Sequence, residues 1–478
     1  MKSNKRPSLT LVAAALALAC GSMGTAQAAA KIVINNLNAP GIGFNETTPA
    51  TPIGGNTGTT IGQQRLIAFT HAANIWGKTL TSDVPIVINA TFEPLSCTAT
   101  SAVLGSAGAT QVFANFKGAP KTDVWYSYAL ANKLYGSEIS TSPGGQITAR
   151  FNSNLGKSDC LAGSAFYLGL DANEGNNIDF VATLLHEMGH GLGFQTFTSG
   201  ATGAPFAGRA SVWDTFLLDN TTGKLWIDMT NAERAASALK PGGLSWTGAR
   251  VTAAAPSVLT PTAQLRVIGV GANSPSGDLY AVGEADFGPK IDKSPLTGQI
   301  AAVALQPDSP GSACTPFNAA NAEAVRRKIA LVSRGTCGFT VKVKNAQDAG
   351  AIGVIVADNA PGAVTGLGGA DPSITIPAVR VSQADGATIL ASLTKPNGNA
   401  NGTVGKLERS KTQLSGADAQ GRVTMFTPNP FQQGSSVSHY NTATTRNQLM
   451  EPSINADLTH SVTAPTDLTM ELFKDIGW

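Results

Sequence analysis

The run His186-Glu187-Met188-Gly189-His190 constrains this chain more than any other stretch. Residues four apart share one face of a helix, so the two imidazoles at that spacing can grip a single ion, while Glu187 can reach a water held by it. The preceding residues agree. Asn177-Ile178-Asp179 supplies capping side chains, and Phe180-Val181-Ala182-Thr183-Leu184-Leu185 follows with apolar residues at helical spacing, which predicts a buried helix carrying the motif. Gly191 and Gly193 predict that this helix stops just after His190. Buried histidines need partners, and the whole chain has only five histidines.

Lys2, Lys5 and Arg6 precede an apolar stretch from Leu9 to Ala19, and Ala26-Gln27-Ala28 offers small residues for cleavage, so residues 1–28 read as a secretory signal peptide. A lipoprotein reading through Cys20 is weaker, because Ala17 stands where a branched aliphatic residue is expected. The apolar stretch is too short for a permanent transmembrane anchor, and export to the medium or a periplasm is expected. Beyond the leader stand Cys97, Cys160, Cys314 and Cys337. Their grouping suggests Cys97 with Cys160 and Cys314 with Cys337, although four cysteines permit three pairings. A net charge of +2 with 13% charged residues leaves no electrostatic footprint for nucleic acid. About 450 residues after the leader suggest two or three domains.

From Lys31 to about Arg250 the pattern mixes helix and strand. Gln63 to Trp76 predicts a helix, with His71 packed or on its surface, and Val84 to Ile88 predicts a strand. Ile147, Ala149 and Phe151 alternate with polar residues as in a half-buried strand; an edge strand there would take up an extended peptide by adding it to the sheet. The loop Asp171 to Asn176 is rich in oxygen ligands, but it lacks the full spacing of a calcium loop, so Ca2+ is only weakly supported and a turn is expected.

Composition changes near Ala253. Between 256 and 404 short strands and helices alternate: Lys328 to Val332, Lys342 to Ala349, Ile352 to Ala357, Ala378 to Val381 and Asp385 to Leu393. The run Asn397-Gly398-Asn399-Ala400-Asn401-Gly402 reads as an exit linker, after which the chain returns to its first domain. The stretches Ile329 to Phe339, Asn345 to Ala351, Gly353 to Asn359 and Ile376-Pro377-Ala378-Val379 resemble the protease-associated (PA) domain. That resemblance implies a non-catalytic accessory module, inserted in or beside a secreted peptidase, that binds substrate or another protein.

A catalytic zinc takes three protein ligands and a water, so two histidines leave one position to fill. In the metzincin pattern His-Glu-x-x-His-x-x-Gly-x-x-His, the glycine matches Gly193, but the last position is Thr196, a poor ligand. The remaining inventory is His71, His439, His460, Asp214, Asp219 and Glu233. The stretches Gly434 to Tyr440, Asn447-Gln448-Leu449-Met450-Glu451-Pro452 and Leu468 to Trp478 resemble the leishmanolysin family of metzincins, which inserts sequence between that glycine and the last histidine. The resemblance implies that His439 is the third ligand and Met450 the methionine of the turn beneath the metal. It also implies an α+β fold: a metzincin-like peptidase domain, with a mixed sheet and an active-site helix, built from residues 29–255 and 405–478 around a small α/β PA domain.

The expected activity is that of a zinc metalloendopeptidase acting on proteins or peptides, with His186, His190 and His439 as ligands and Glu187 as general base. Tyr440 has only its position beside a ligand to suggest a role. One alternative is a gluzincin-like peptidase with an acidic third ligand such as Glu233. Another is a secreted binding or adhesion protein whose zinc is structural, against which the presence of Glu187 argues.

Overall fold

The computed structural model describes residues 29–269, 276–303, 310–362, 364–393 and 402–478. The expected leader, with Cys20, and the linker residues 397–401 lie outside the described residues.

The first part of the chain builds β1 (Ile32–Asn36), α1 (Ile61–Thr79), β2 (Ile86–Glu93), β3 (Gly105–Ala109), β4 (Ile147–Asn152) and α2 (Phe180–Leu192). The strands lie in the order β1-β2-β4-β3; β1, β2 and β4 are parallel, and β3 is antiparallel to β4. Alternation sets the buried face. Ile86, Ile88, Ala90 and Phe92 of β2 and Ile147, Ala149 and Phe151 of β4 are buried, while Thr148 and Arg150 are exposed. α1 outruns its expected span at both ends; at its start the Thr60 side chain accepts the Gln63 N–H and begins the helix early. β2 begins later than expected, after Pro85, which has no N–H to give to a ladder.

One expectation is corrected here. β4 is not an edge strand, since it is paired on both sides, by β2 and by β3. The edge belongs to β3, whose sequence Gly-Ser-Ala-Gly-Ala has too little apolar alternation to announce a strand.

Every residue of α2 is buried, between α1 on one side and β3 and β4 on the other. The helix ends two residues past its expected stop, at Leu192, where Gly193 takes a φ of 126° and the Phe194 N–H turns back to the Gly189 carbonyl. A Cβ on Gly191 would lie 2.3 Å from Ile147 Cγ2, so this glycine lets the helix approach the sheet.

The middle of the chain forms a second sheet from β5 (Pro261–Ile268), β6 (Asp278–Ala281), β7 (Gly283–Glu284), β8 (Leu296–Ala302), β9 (Ile329–Ser333), β10 (Gly353–Ala357), β11 (Ala378–Val381) and β12 (Val404–Leu414), in the order β6-β5-β12-β8-β9-β10-β11-β7. Strands β8 to β11 are parallel. Val343 and Ala346 of helix α3 (Phe339–Asp348) pack on the face of Val354 and Val356, and Ile389 and Leu393 of α4 (Gln383–Leu393) pack on the face of Ile355 and Val379. Covering on both faces explains why β9 and β10 are continuous apolar runs. β12 stays paired with β5 as far as Leu414.

The last residues rejoin the first core. Val423, Met425, Tyr440, Leu449, Met450, Leu472 and Phe473 belong to the same buried cluster as Leu184, Leu185 and Met188. The final helix, α5 (Thr469–Ile476), sets Phe473 against Trp76 of α1 at 5.1 Å. Cys97 is bonded to Cys160 and Cys314 to Cys337. Among the described residues no helix is long and apolar enough to cross a membrane.

Candidate active site

α2 presents His186 and His190 one turn apart, and the Ser-rich loop before Tyr440 brings His439 to them from across the chain. The three Nε2 atoms are 3.1, 3.1 and 3.2 Å apart. All three rings are turned the same way, with Nδ1 donating to a carbonyl: His186 to Leu449 at 2.8 Å, His190 to Phe194 at 2.8 Å and His439 to Ser435 at 2.7 Å. A carbonyl can only accept, so Nδ1 carries the proton and each Nε2 presents a bare lone pair. Three converging lone pairs cannot hydrogen-bond to one another. Burial, with the neighbouring rings for the latter two, holds His186 down to about 4, His190 to about 3 and His439 well below the usual histidine range, so protons do not relieve the repulsion near neutral pH. A cation does, and three neutral imidazoles with fixed tautomers suit zinc.

The chain segment below these rings holds them in place. Leu449, whose carbonyl takes the His186 proton, is itself fixed by its N–H to Asp467 Oδ2 at 2.7 Å. Met450 is fully buried beneath α2, and a Cβ on Gly189 would lie 2.7 Å from its sulfur. The Tyr440 N–H donates to the Met450 carbonyl at 2.8 Å, linking the methionine to the loop that carries His439.

Glu187 is buried beside the edge strand and accepts the Ala107 N–H; burial raises its carboxyl to about 8. Gly105 makes room for it, since a Cβ there would meet Glu187 Cγ at 2.9 Å. The cleft over these residues has a volume of about 690 Å³. Its walls include Val103 to Ala107 on the β3 side, Ile178 and Thr183 on α2 and its approach, and Phe431 opposite.

Other candidate ligands are engaged elsewhere, and His186, His190 and His439 are the only group of three donors placed to hold an ion among the described residues. His460 pairs with Asp179 and lies beside His71, with rings 6.0 Å apart. Asp214 accepts from the Thr196 and Thr198 hydroxyls and the Ser211 N–H. Asp219 accepts the Thr221 and Thr222 N–H groups. Glu233 closes a capping box with Thr230 and pairs with Lys224, interactions that hold its carboxyl down to about 2. Asp171 takes the Tyr167 hydroxyl, and no calcium cluster forms in its loop. Tyr440 is buried against Phe194, outside the cleft lining. Sequence reasoning missed the β3 wall, the role of Gly105 and the contact of His460 with Asp179. Only the glycines of β3 hinted at close backbone approach.

The PA domain family matches residues 296–389. The chain is 35% identical over 124 residues to the ER degradation-enhancing alpha-mannosidase-like protein 3 of Xenopus laevis, covering 24% of this chain and 13% of that protein. It is 49% identical over 72 residues to Leucine aminopeptidase 2 of Arthroderma otae, covering 15% and 14%. It is also 36% identical over 107 residues to a receptor homology region, transmembrane domain- and RING domain-containing protein of Oryza sativa subsp. japonica, covering 22% and 19%. The chain thus spans less than a fifth of each of these relatives, whose names point to dissimilar activities. Among solved structures, an aminopeptidase from Aneurinibacillus sp. strain AM-1 aligns at 17% identity over 42% of this chain and 41% of its own, with a TM-score of 0.23. A zinc aminopeptidase from Bacillus subtilis aligns at 24% over 34% and 37%, with a TM-score of 0.20. Likeness at that level carries no argument about the fold or the reaction. What the comparisons do identify is the middle of the chain, residues 296–389, as a PA domain.

Proposed function

We propose that this chain is an exported, zinc-dependent endopeptidase of leishmanolysin type, with His186, His190 and His439 as metal ligands, Glu187 as general base and Met450 in the supporting turn. The observation that carries this reading is the convergence of three proton-free Nε2 atoms beside a buried carboxylate.

Zinc bound there supplies Lewis acidity, which lowers the pKa of a water from about 15.7 toward 7 and polarises a peptide carbonyl. Glu187 takes the proton of the attacking water and passes it to the leaving amine. Its burial favours proton uptake, and the Ala107 N–H keeps it oriented. β3 aligns the substrate. Leu104 and Thr110 spend their peptide groups on Asn152 and Gln146 of the β4 side, so the alternating residues Gly105 and Ala107 turn theirs away from that ladder, where an extended peptide can pair in part with them. Endopeptidase action fits the cleft lining, which among the described residues offers no carboxylate other than Glu187 to hold a free amino terminus. The PA domain serves as a non-catalytic module that binds substrate or another protein. Two disulfides and the leader-like residues 1–28 support export.

The test is casein hydrolysis by the purified protein, which should stop on adding a chelator and return with zinc. Glu187→Gln should keep its metal yet lose nearly all hydrolysis. Retained activity would remove Glu187 from the mechanism, and activity indifferent to the chelator would remove the metal.

A further inference from the structure

The cleft that holds the three histidines is almost free of charge. Apart from those rings and Glu187, no ionisable side chain lines it among the described residues. Its walls are otherwise apolar or polar and neutral: Val103, Leu104, Thr183, Phe431 and Ile454, with the amides of Gln195 and Gln433. The nearest acid behind the Thr196 and Thr198 side, Asp214, is buried, and both of its oxygens are taken by those two hydroxyls and the Ser211 N–H. Glu187 is turned to the Ala107 N–H. A cationic side chain laid into this cleft would therefore give up water, find no counter-charge and lie near the metal dication, whereas an apolar or hydroxylic one would gain contacts.

We propose that the cleft selects extended peptide segments that carry no cationic side chain around the scissile bond and discriminates against Lys and Arg there. The proposal deepens the peptidase reading above and rests on it. Recognition then comes from the main chain along β3 and from small or apolar side chains against Val103, Leu104 and Phe431, with Lys and Arg admitted only beyond the ends of the cleft. Without a partner, a partly desolvated charge should lower affinity about tenfold against a neutral side chain of the same shape.

The experiment uses the full-length protein loaded with zinc and one neutral Ala/Leu/Ser peptide. At each position in turn, Lys is compared with norleucine. Binding is measured by calorimetry on the Glu187→Gln protein, and kcat/KM on the unsubstituted protein. The expected result is a window of consecutive positions in which Lys weakens both binding and kcat/KM about tenfold relative to norleucine. Equal binding of the Lys and norleucine members at every position would overturn the proposal. Selective binding with no cleavage of any peptide would instead overturn the peptidase reading and leave the selectivity standing. A second arm places a charge on the rim: Val103 is 44% exposed, and Val103→Asp should raise the relative preference for Lys over norleucine about threefold, as expected for a solvated ion pair. No change in that ratio would overturn the claim that a missing counter-charge causes the selection.

Discussion

His460 Nε2 lies 2.7 Å from Asp179 Oδ2, and Asp179 Oδ1 accepts the Ala182 N–H at 3.0 Å, so one carboxylate both caps α2 and ties it to the C-terminal segment. Leu449, in the same returning segment, grips the helix again at His186. Asp179→Ala should destabilise the protein by about 1–3 kcal/mol, through the lost cap and the lost partner of a half-buried histidine. His460→Ala should cost less, because it leaves the cap in place. Urea unfolding of both variants checks the order; equal stability of Asp179→Ala and the parent would deny Asp179 its anchoring role.

Gly105 and Gly189 are close-approach glycines on two sides of the site. A methyl group on Gly105 would press on Glu187 Cγ at 2.9 Å, while one on Gly189 would press on Met450 Sδ at 2.7 Å. Gly105→Ala should lower kcat about tenfold or more with metal content intact, because it shifts the base and not the ligands. Gly189→Ala should lower stability by about 1–3 kcal/mol through overpacking. Steady-state kinetics with metal analysis separates the two.

Burial raises the Glu451 carboxyl to about 7, against an ordinary 4.5, although Thr444, Gln448 and Asn455 donate to it. Between those two values the folded chain holds a proton that the unfolded chain has released, so this group's contribution to stability falls as pH rises through the window and is level above it. Glu451→Gln should remove that dependence. Its stability relative to the parent should be greater at pH 8 than at pH 4, by an amount on the order of 1 kcal/mol, measured by denaturant titration at each pH.

The bridge Cys97–Cys160 anchors the loop whose next residue, Leu161, lines the cleft, while Cys314–Cys337 lies within the second sheet's domain. Replacing both Cys97 and Cys160 by Ala should cost about 2–4 kcal/mol and raise KM, whereas the same change at Cys314 and Cys337 should cost stability with little effect on KM for short peptides. Thermal melts and peptide kinetics on the two double variants test this.

How much of this was legible in the chain depended on whether the signal was local. The helix of His186 and His190 could be read because its apolar residues, its Asp179 cap and Gly193 all lie within one short stretch. β9 and β10 could be read because covering on both faces makes them nearly unbroken apolar runs. β3 could not, since its small residues are chosen for approach to Glu187 and carry no alternation. β12 was hidden as well: Lys406, Glu408 and Arg409 look like surface, yet Arg266 pairs with Glu408 across the β5–β12 ladder and Arg409 pairs with Glu284 of β7. His439 stands 253 residues from His186 and His460 stands 281 from Asp179, distances over which spacing says nothing. Only a family resemblance pointed to His439, and nothing pointed to His460.

The most direct measurement is zinc content and affinity of the purified protein beside His439→Ala. The account predicts about one tightly bound zinc per chain in the parent, with thermal stability that falls when a chelator removes it, and loss of that zinc in the variant. A variant that binds zinc with the stoichiometry and affinity of the parent would contradict the three-histidine site.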